Sequence, residues 1–229
     1  MRVSVVVPVF NEAKTIEKVH RSIQSTGIAS EIIYINDGST DESANILDQI
    51  ASSNSIIVIN HPLNQGKGSA IRSGVKIATG DVIILQDADL EYDPAEYPKL
   101  LAPFKKGSQN IVYGARFLQH TSQPFYLPHY LANRILTALT NVLFGSHLND
   151  METGYKVFKR SIFFDLNITA KGFEFEPEFT AKVLRKGYQI TEVPISFNPR
   201  NYEQGKKIKF QDAIQAVLML LKIRLQKNL

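Results

Sequence analysis

Along the first half of the chain, hydrophobic residues fall in short unbroken runs separated by longer stretches of helical spacing. Residues 3–9, 31–36, 55–60, 81–86 and 110–113 are rich in Val and Ile without strict polar alternation, the pattern of strands buried on both faces. Between them, residues 12–25, 41–52, 68–78 and 94–106 carry apolar positions at helical intervals. Ser39-Thr40-Asp41-Glu42 supplies a cap and first-turn acids, and Gly27, Gly80 and Gly107 supply stops. This alternation predicts an α/β fold, a Rossmann-like and mostly parallel sheet flanked by helices. Beyond about residue 115 the rhythm changes. A helix is expected over 127–144, a loop-rich polar patch from Asp150, a helix over 176–186, a strand over 189–193 and a last helix over 210–227. Nothing reads as a linker or repeat, so residues 1–229 are expected to form one domain.

Composition narrows the classes. The chain has 26 Lys+Arg against 22 Asp+Glu, a net charge of +4. That suits an anionic substrate or an acidic membrane surface, and falls short of the basic footprint of a nucleic-acid binder. Cysteine is absent, which excludes disulfides, thiol catalysis and zinc–thiolate sites. Met1 to Pro8 reads as a buried strand rather than a signal peptide. The apolar stretch from Ala216 to Leu221 falls well short of the ~20 residues that span a bilayer. The expectation is a cytoplasmic protein, or one resting on the cytoplasmic face of a membrane.

In an open parallel sheet, ligands bind outside the carboxyl ends of the strands. The first strand ends in Pro8-Val9-Phe10-Asn11-Glu12, the second in Asn36-Asp37-Gly38-Ser39, and the fourth in Gln86-Asp87-Ala88-Asp89-Leu90-Glu91; Asn64-Gln65-Gly66-Lys67-Gly68 follows the third. These four clusters are predicted to meet on one rim. Clustered carboxylates at positions 87, 89 and 91 suit Mg²⁺ or Mn²⁺, although a D-x-D pair alone also suits a solvated loop. Asp37 in turn chemistry has an equally plain structural use. Gly66-Lys67-Gly68-Ser69 is not a P-loop, because His61 and Gly68 stand where that motif requires Gly and Ser or Thr.

Pro8-Val-Phe-Asn-Glu12, Asn36-Asp-Gly-Ser-Thr-Asp41, Asn64-Gln-Gly-Lys-Gly68 and Asp87-Ala-Asp89 closely resemble, in order and spacing, the motifs of family-2 inverting glycosyltransferases of the GT-A fold. Tyr113-Gly-Ala-Arg116, Asp150-Met-Glu-Thr-Gly154, Phe173-Glu-Phe-Glu-Pro-Glu178 and Val193-Pro-Ile-Ser196 extend the likeness over roughly residues 3 to 210. The nearest look-alikes are dolichyl- or polyprenyl-phosphate mannosyl- and glucosyltransferases. The resemblance implies a nucleotide-binding half over about 1–115 and an acceptor-binding half over about 116–229. It implies that Pro8, Phe10, Glu12 and Asp37 hold the nucleotide, with Lys67, Asp87, Ala88 and Asp89 lining the same pocket. Asp87, Asp89 and Glu91 would bind Mg²⁺ or Mn²⁺, and Arg116, Arg134 and Arg200 the acceptor phosphate. Many relatives carry Gln where this chain has Glu91, and the segment from Arg200 to Lys207 departs from the mannosyl-enzyme spacing.

The expected reaction is inverting transfer of a hexose from GDP-mannose or UDP-glucose to a lipid phosphate. The metal, with Asp89 and Arg116, would carry the developing charge. A phosphate acceptor is largely ionised at pH 7, its second pKa being about 6, so no strong base is required. The histidines at positions 20, 61, 120, 129 and 147 then read as surface or loop residues. Were the acceptor a sugar hydroxyl, as in cell-surface polysaccharide synthesis, Asp150 or Glu152 would serve as base. A non-catalytic nucleotide-binding α/β module stays open as a third reading. Arg134 beside Leu131, Ile135 and Leu136, and Ile214, Val217, Leu218, Leu221 and Leu225 near the end, offer faces either for a membrane surface or for core packing.

Overall fold

The computed structural model describes residues 1–105, 109–118, 126–200 and 210–226. In chain order its elements are β1 (Val3–Val9), α1 (Ile16–Ser25), β2 (Glu31–Asp37), α2 (Ser43–Ser53), β3 (Ile57–His61), α3 (Lys67–Ile77), β4 (Val82–Leu85), α4 (Tyr97–Lys105), β5 (Ile111–Ala115), α5 (Leu127–Phe144), β6 (Lys156–Lys159), α6 (Arg160–Leu166), α7 (Phe175–Arg185), β7 (Thr191–Pro194) and α8 (Phe210–Leu225). The strands form one seven-stranded sheet in the order β3-β2-β1-β4-β6-β5-β7. Strand β6 runs antiparallel to both β4 and β5, while the other pairings are parallel. The mostly parallel α/β sheet is as expected, and β4 is central to it.

The valines of β1 show why the strands lack polar alternation. Val3, Val5, Val7 and Val9 pack with Ile16, Val19 and Ile23 of α1 and Leu100 and Leu101 of α4. Val6 points to the other face, where Ile71 and Val75 of α3 meet Phe163 of α6 and Phe175 and Phe179 of α7. Both faces are therefore covered, and each fully buried aliphatic side chain contributes roughly 1.5–3 kcal/mol. A third cluster lies beside the sheet, where Leu136 of α5, Ala181 of α7 and Ala216, Leu220 and Ile223 of α8 meet.

Three expectations change. The helix foreseen from residue 12 starts at Ile16. Asn11 is left-handed at φ 53°, and the Glu12 N–H bonds the Ser43 hydroxyl at 2.9 Å, so residues 11–15 turn toward the strand ends instead of winding. The patch after Asp150 contains β6 and α6, neither foreseen. Lys156 and Lys159 flank a four-residue strand whose only signal is its place between β4 and β5. Finally, Leu136 is core rather than membrane-facing at 6% exposure, and Val217 packs on the third cluster. The expected stop at Gly107 and the expected end of the last helix at Lys227 lie outside the described residues, as do His120, Lys206 and Lys207.

Candidate active site

The carboxyl ends of β1, β2 and β4 and the N-terminus of α3 open into a cavity of about 640 Å³. Pro8, Phe10, Glu12, Asp37, Lys67, Asp87, Ala88, Asp89, Glu91, Arg116 and Arg200 all line it. The convergence expected from strand ends is thus realised, because parallel strands all deliver their C-terminal loops to one edge.

The acids at 87, 89 and 91 are gathered by a tight turn and not by extended alternation. Leu90 sits left-handed at φ 63°, a costly conformation for a branched side chain, and the Glu91 N–H bonds Asp89 Oδ1 at 3.0 Å. Two cations face these acids. Lys67 Nζ lies 2.9 Å from Asp87 and 3.0 Å from Glu176. Burial works against its ammonium, yet the two carboxylates hold its pKa well above the ordinary lysine value. Arg200 reaches Asp89 at 2.8 Å and Glu12 at 3.1 Å, and its backbone N–H donates to Glu91 Oε1 at 2.8 Å.

Arg200 does not fully offset the acids crowded around Asp89. Burial first, then repulsion from Asp87 and Glu91, push its pKa up to about 7 despite Arg200. Among the described residues no three His, Cys, Asp or Glu side chains converge into a finished metal cage. Mg²⁺ and Mn²⁺ do not need one, since they keep water and substrate phosphate as ligands beside one or two carboxylates. A crowded all-oxygen donor set short of countercharge therefore fits such a cation. Asp89 must lose its proton to ligate. Mn²⁺ affinity is accordingly expected to weaken about tenfold per pH unit below about 7 and to level off above it. A titration giving the same affinity at pH 5.5 and 8 would remove Asp89 as a ligand.

Asp37 is structurally employed. It is buried, and its carboxylate accepts from the Gln65 and Gly66 N–H groups at 3.0 and 2.7 Å and meets His61 Nδ1 at 2.7 Å. It thereby shapes the loop that delivers Lys67. Gly66 has φ 95° and packs so closely on the Lys171 carbonyl that a Cβ has no room. Gly154 likewise lies against the Asp87 carboxylate and the Tyr92 ring. Gly154→Ala would push Asp87 out of place, and an expected loss of about 100-fold in turnover with little change in Tm is checked by steady-state kinetics beside thermal melts.

Arg116 and Asp150 form a bidentate pair, Nε and Nη2 each 2.7 Å from a carboxylate oxygen, with the Arg116 N–H adding a third bond at 2.9 Å. Asp150 has no exposed surface and stands behind Arg116, outside the cavity lining. Phe117 and Phe197 flank the guanidinium at 5.3 and 5.1 Å. Arg134 is exposed, bonds the Asn149 carbonyl at 3.3 Å, and is not among the lining residues, whereas His129, Asn133 and Leu136 of the same helix are.

Several participants escaped the sequence reading. His20 is buried against the Tyr34 hydroxyl at 2.9 Å, and His61 is half-buried between Asp37 and Ser73, both ring nitrogens engaged. Glu176 looks in sequence like a first-turn helix acid, yet it is the second partner of Lys67. Glu152, by contrast, was a candidate base in the sequence; it lines the cavity with its pKa pushed up to about 7 by burial and by Glu176. Lys156 is fully enclosed, with burial lowering its pKa to about 8, and donates to the Met151 and Thr153 carbonyls at 3.0 and 2.5 Å.

Known proteins carry the same frame. The chain is 32% identical over 225 residues to the low-salt glycan biosynthesis hexosyltransferase Agl6 of Haloferax volcanii, covering 95% of this chain and 52% of that protein. It is 28% identical over 211 residues to the dolichol-phosphate mannosyltransferase of Pyrococcus furiosus, covering 90% of this chain and 59% of that one. The chain thus spans little more than half the length of these curated relatives. Glucosyl-3-phosphoglycerate synthase from Mycobacterium tuberculosis, solved with Mn²⁺, uridine diphosphate and glucosyl-3-phosphoglycerate, superposes with a TM-score of 0.76 at 23% identity over 97% of this chain and 79% of that chain. That likeness shows the shared GT-A fold. The model described as glycosyl transferase family 2 matches residues 4–166, and with that match the chain belongs to glycosyl transferase family 2.

Proposed function

We propose that this domain moves a hexose, with inversion, from a nucleotide diphosphate sugar to a polyprenyl or dolichyl phosphate. The observation that carries the reading is one cavity holding the Asp87, Asp89 and Glu91 carboxylates beside Lys67, Arg116 and Arg200. Pro8, Phe10, Glu12 and Asp37 take the nucleotide end. Asp87, Asp89 and Glu91 hold Mg²⁺ or Mn²⁺, which supplies Lewis-acid stabilisation of the departing diphosphate. The structural relative's complex with Mn²⁺ and uridine diphosphate supports that choice. The acceptor phosphate is drawn by the positive charge of Arg116 and Arg200, which their carboxylate partners hold at the cavity wall, with Arg134 guiding it from outside. Asp150 aligns Arg116 and does not act as a base, since a phosphate acceptor arrives ionised.

Support for a lipid acceptor comes from the dolichol-phosphate relative and from the surface. Leu127, Leu131 and Ile135 on α5, and Ile214, Leu218, Leu221 and Leu225 on α8, are exposed. Each set falls on one helix stripe, and the two helices pack together and contribute lining to the cavity. Such stripes seat a helix pair in a membrane interface. Among the described residues no helix is long and apolar enough to cross a membrane.

The test is a donor-by-acceptor screen of labelled UDP-glucose and GDP-mannose against short polyprenyl phosphates, with and without EDTA. Metal-dependent product on the lipid phosphate is expected, and its absence with every pair sinks the reading. Sugar acceptors belong in the same screen, because Glu152, with a pKa near 7, is placed to serve as base for a hydroxyl. Transfer to sugars alone would favour that second reading.

A further inference from the structure

Gln86 directly follows β4 and is still held by the sheet, its backbone N–H donating to the Val6 carbonyl at 3.0 Å. It has no exposed surface and does not line the cavity, yet its side chain reaches both ends of the turn that carries the acids. Its Nε2 donates to the Asp87 carbonyl at 2.9 Å and to the Tyr92 carbonyl at 3.3 Å. Its Oε1 accepts from the Tyr97 hydroxyl at 2.9 Å and from the Tyr155 hydroxyl at 2.7 Å. All four hydrogen-bonding positions of the amide are therefore filled, and only one orientation fills them. Turned over, the amide would set its oxygen against two carbonyls.

The turn between those two carbonyls needs such a clamp. It places Leu90 in the left-handed region at φ 63°, and Asp87 and Glu91 repel the Asp89 carboxylate within it. A segment carrying both burdens persists only where its surroundings over-determine it. Gln86 closes the turn from behind, and it is itself fixed by α4 through Tyr97 and by the residue preceding β6, Tyr155. Tyr92 is held a second time, its hydroxyl accepting from the Gly154 N–H at 2.7 Å. Resting on the metal-dependent reading above, we propose that Gln86 is the positioning residue of the acidic turn. It touches neither metal nor nucleotide, and it keeps Asp87, Asp89 and Glu91 gathered in the protein before a divalent cation is present. Groups that aim metal ligands from behind matter nearly as much as the ligands themselves.

The experiment titrates Mn²⁺ into protein mixed with excess UDP or GDP, reading Mn²⁺ by its electron paramagnetic resonance signal, with thermal melts on every variant. Gln86→Met keeps the length of the side chain and removes its four hydrogen bonds; Mn²⁺ affinity is expected to fall about 10- to 100-fold. Tyr97→Phe combined with Tyr155→Phe keeps both rings and strips the amide oxygen of its donors. A fall of about 3- to 10-fold is expected there, and this pair carries the test if Gln86→Met does not fold. Ser4→Ala is the control, since it breaks buried bonds to Glu31 and the Gly80 N–H at the opposite end of β1. It should lower Tm while moving Mn²⁺ affinity less than about threefold. The assignment falls if the Gln86 and tyrosine variants lose Tm as the control does, yet bind Mn²⁺ within about threefold of wild type. Gln86 would then serve packing alone. Failure of wild type to bind Mn²⁺ with either nucleotide would instead take down the metal-dependent reading, and this assignment with it.

Discussion

Asp89→Asn is expected to lower kcat/KM by on the order of 10³-fold, through loss of the metal's stabilisation of the leaving diphosphate. The substitution preserves shape and leaves Arg200 its pairing with Glu12, so the fold should persist. A pH effect separates this account from simple damage. The pKa of Asp89 is raised in the folded state, to about 7, so the folded protein holds an extra proton between the ordinary carboxylate range and about pH 7. The stability linked to that proton is present at low pH and is lost as pH rises through about 7. Metal-free wild type should therefore lose Tm from pH 5 to pH 8 by more than Asp89→Asn does. Adding Mn²⁺ at pH 8 should raise the Tm of wild type and leave the variant unmoved. A variant that still gains Tm from Mn²⁺ would end the assignment.

The second large effect is on stability. Asp150→Ala removes the partner of a guanidinium whose side chain is 11% exposed, from a carboxylate with no exposed surface. Breaking one side of a buried pair costs about 3–5 kcal/mol, which for a chain of this size corresponds to a Tm loss of roughly 6–20 °C. Burial works against the Arg116 charge, and Asp150 is what holds its pKa above the ordinary arginine value. Without it Arg116 must swing toward solvent, and acceptor affinity should fall with it. A calorimetric Tm within about 2 °C of wild type would show that Arg116 finds other support.

The valine and isoleucine runs told where the central strands lie, because strands covered on both faces cannot hide their composition. The helix over Leu127–Phe144 was legible to the residue at both ends, with Gly145 in the left-handed region closing it. The acids of the fourth strand's exit were visible for the same reason: parallel connections leave C-terminal loops on one edge whatever the side chains are. Strand β6 was not legible, since four residues bounded by lysines have no period to read. Its identity comes from backbone pairing on both sides.

The site divides along the same line. Residues whose chemistry is announced by local order, such as Asp87, Asp89 and Lys67, could be named from spacing and motif. Their partners could not. Glu176 lies 109 positions from Lys67, and Arg200 lies 188 from Glu12 and 111 from Asp89. Contacts at that separation are created by closure of the sheet and carry no trace in neighbouring residues. Asp150 shows the limit from the other side: a carboxylate beside the cavity reads as a base until the fold gives both its oxygens to Arg116. Sequence alone determined the class of fold, the rim on which chemistry gathers and the charge types present there. Tertiary structure decided which charges neutralise one another and which stay uncompensated, because pairing depends on distance and burial, and those quantities exist only once the chain has closed on itself.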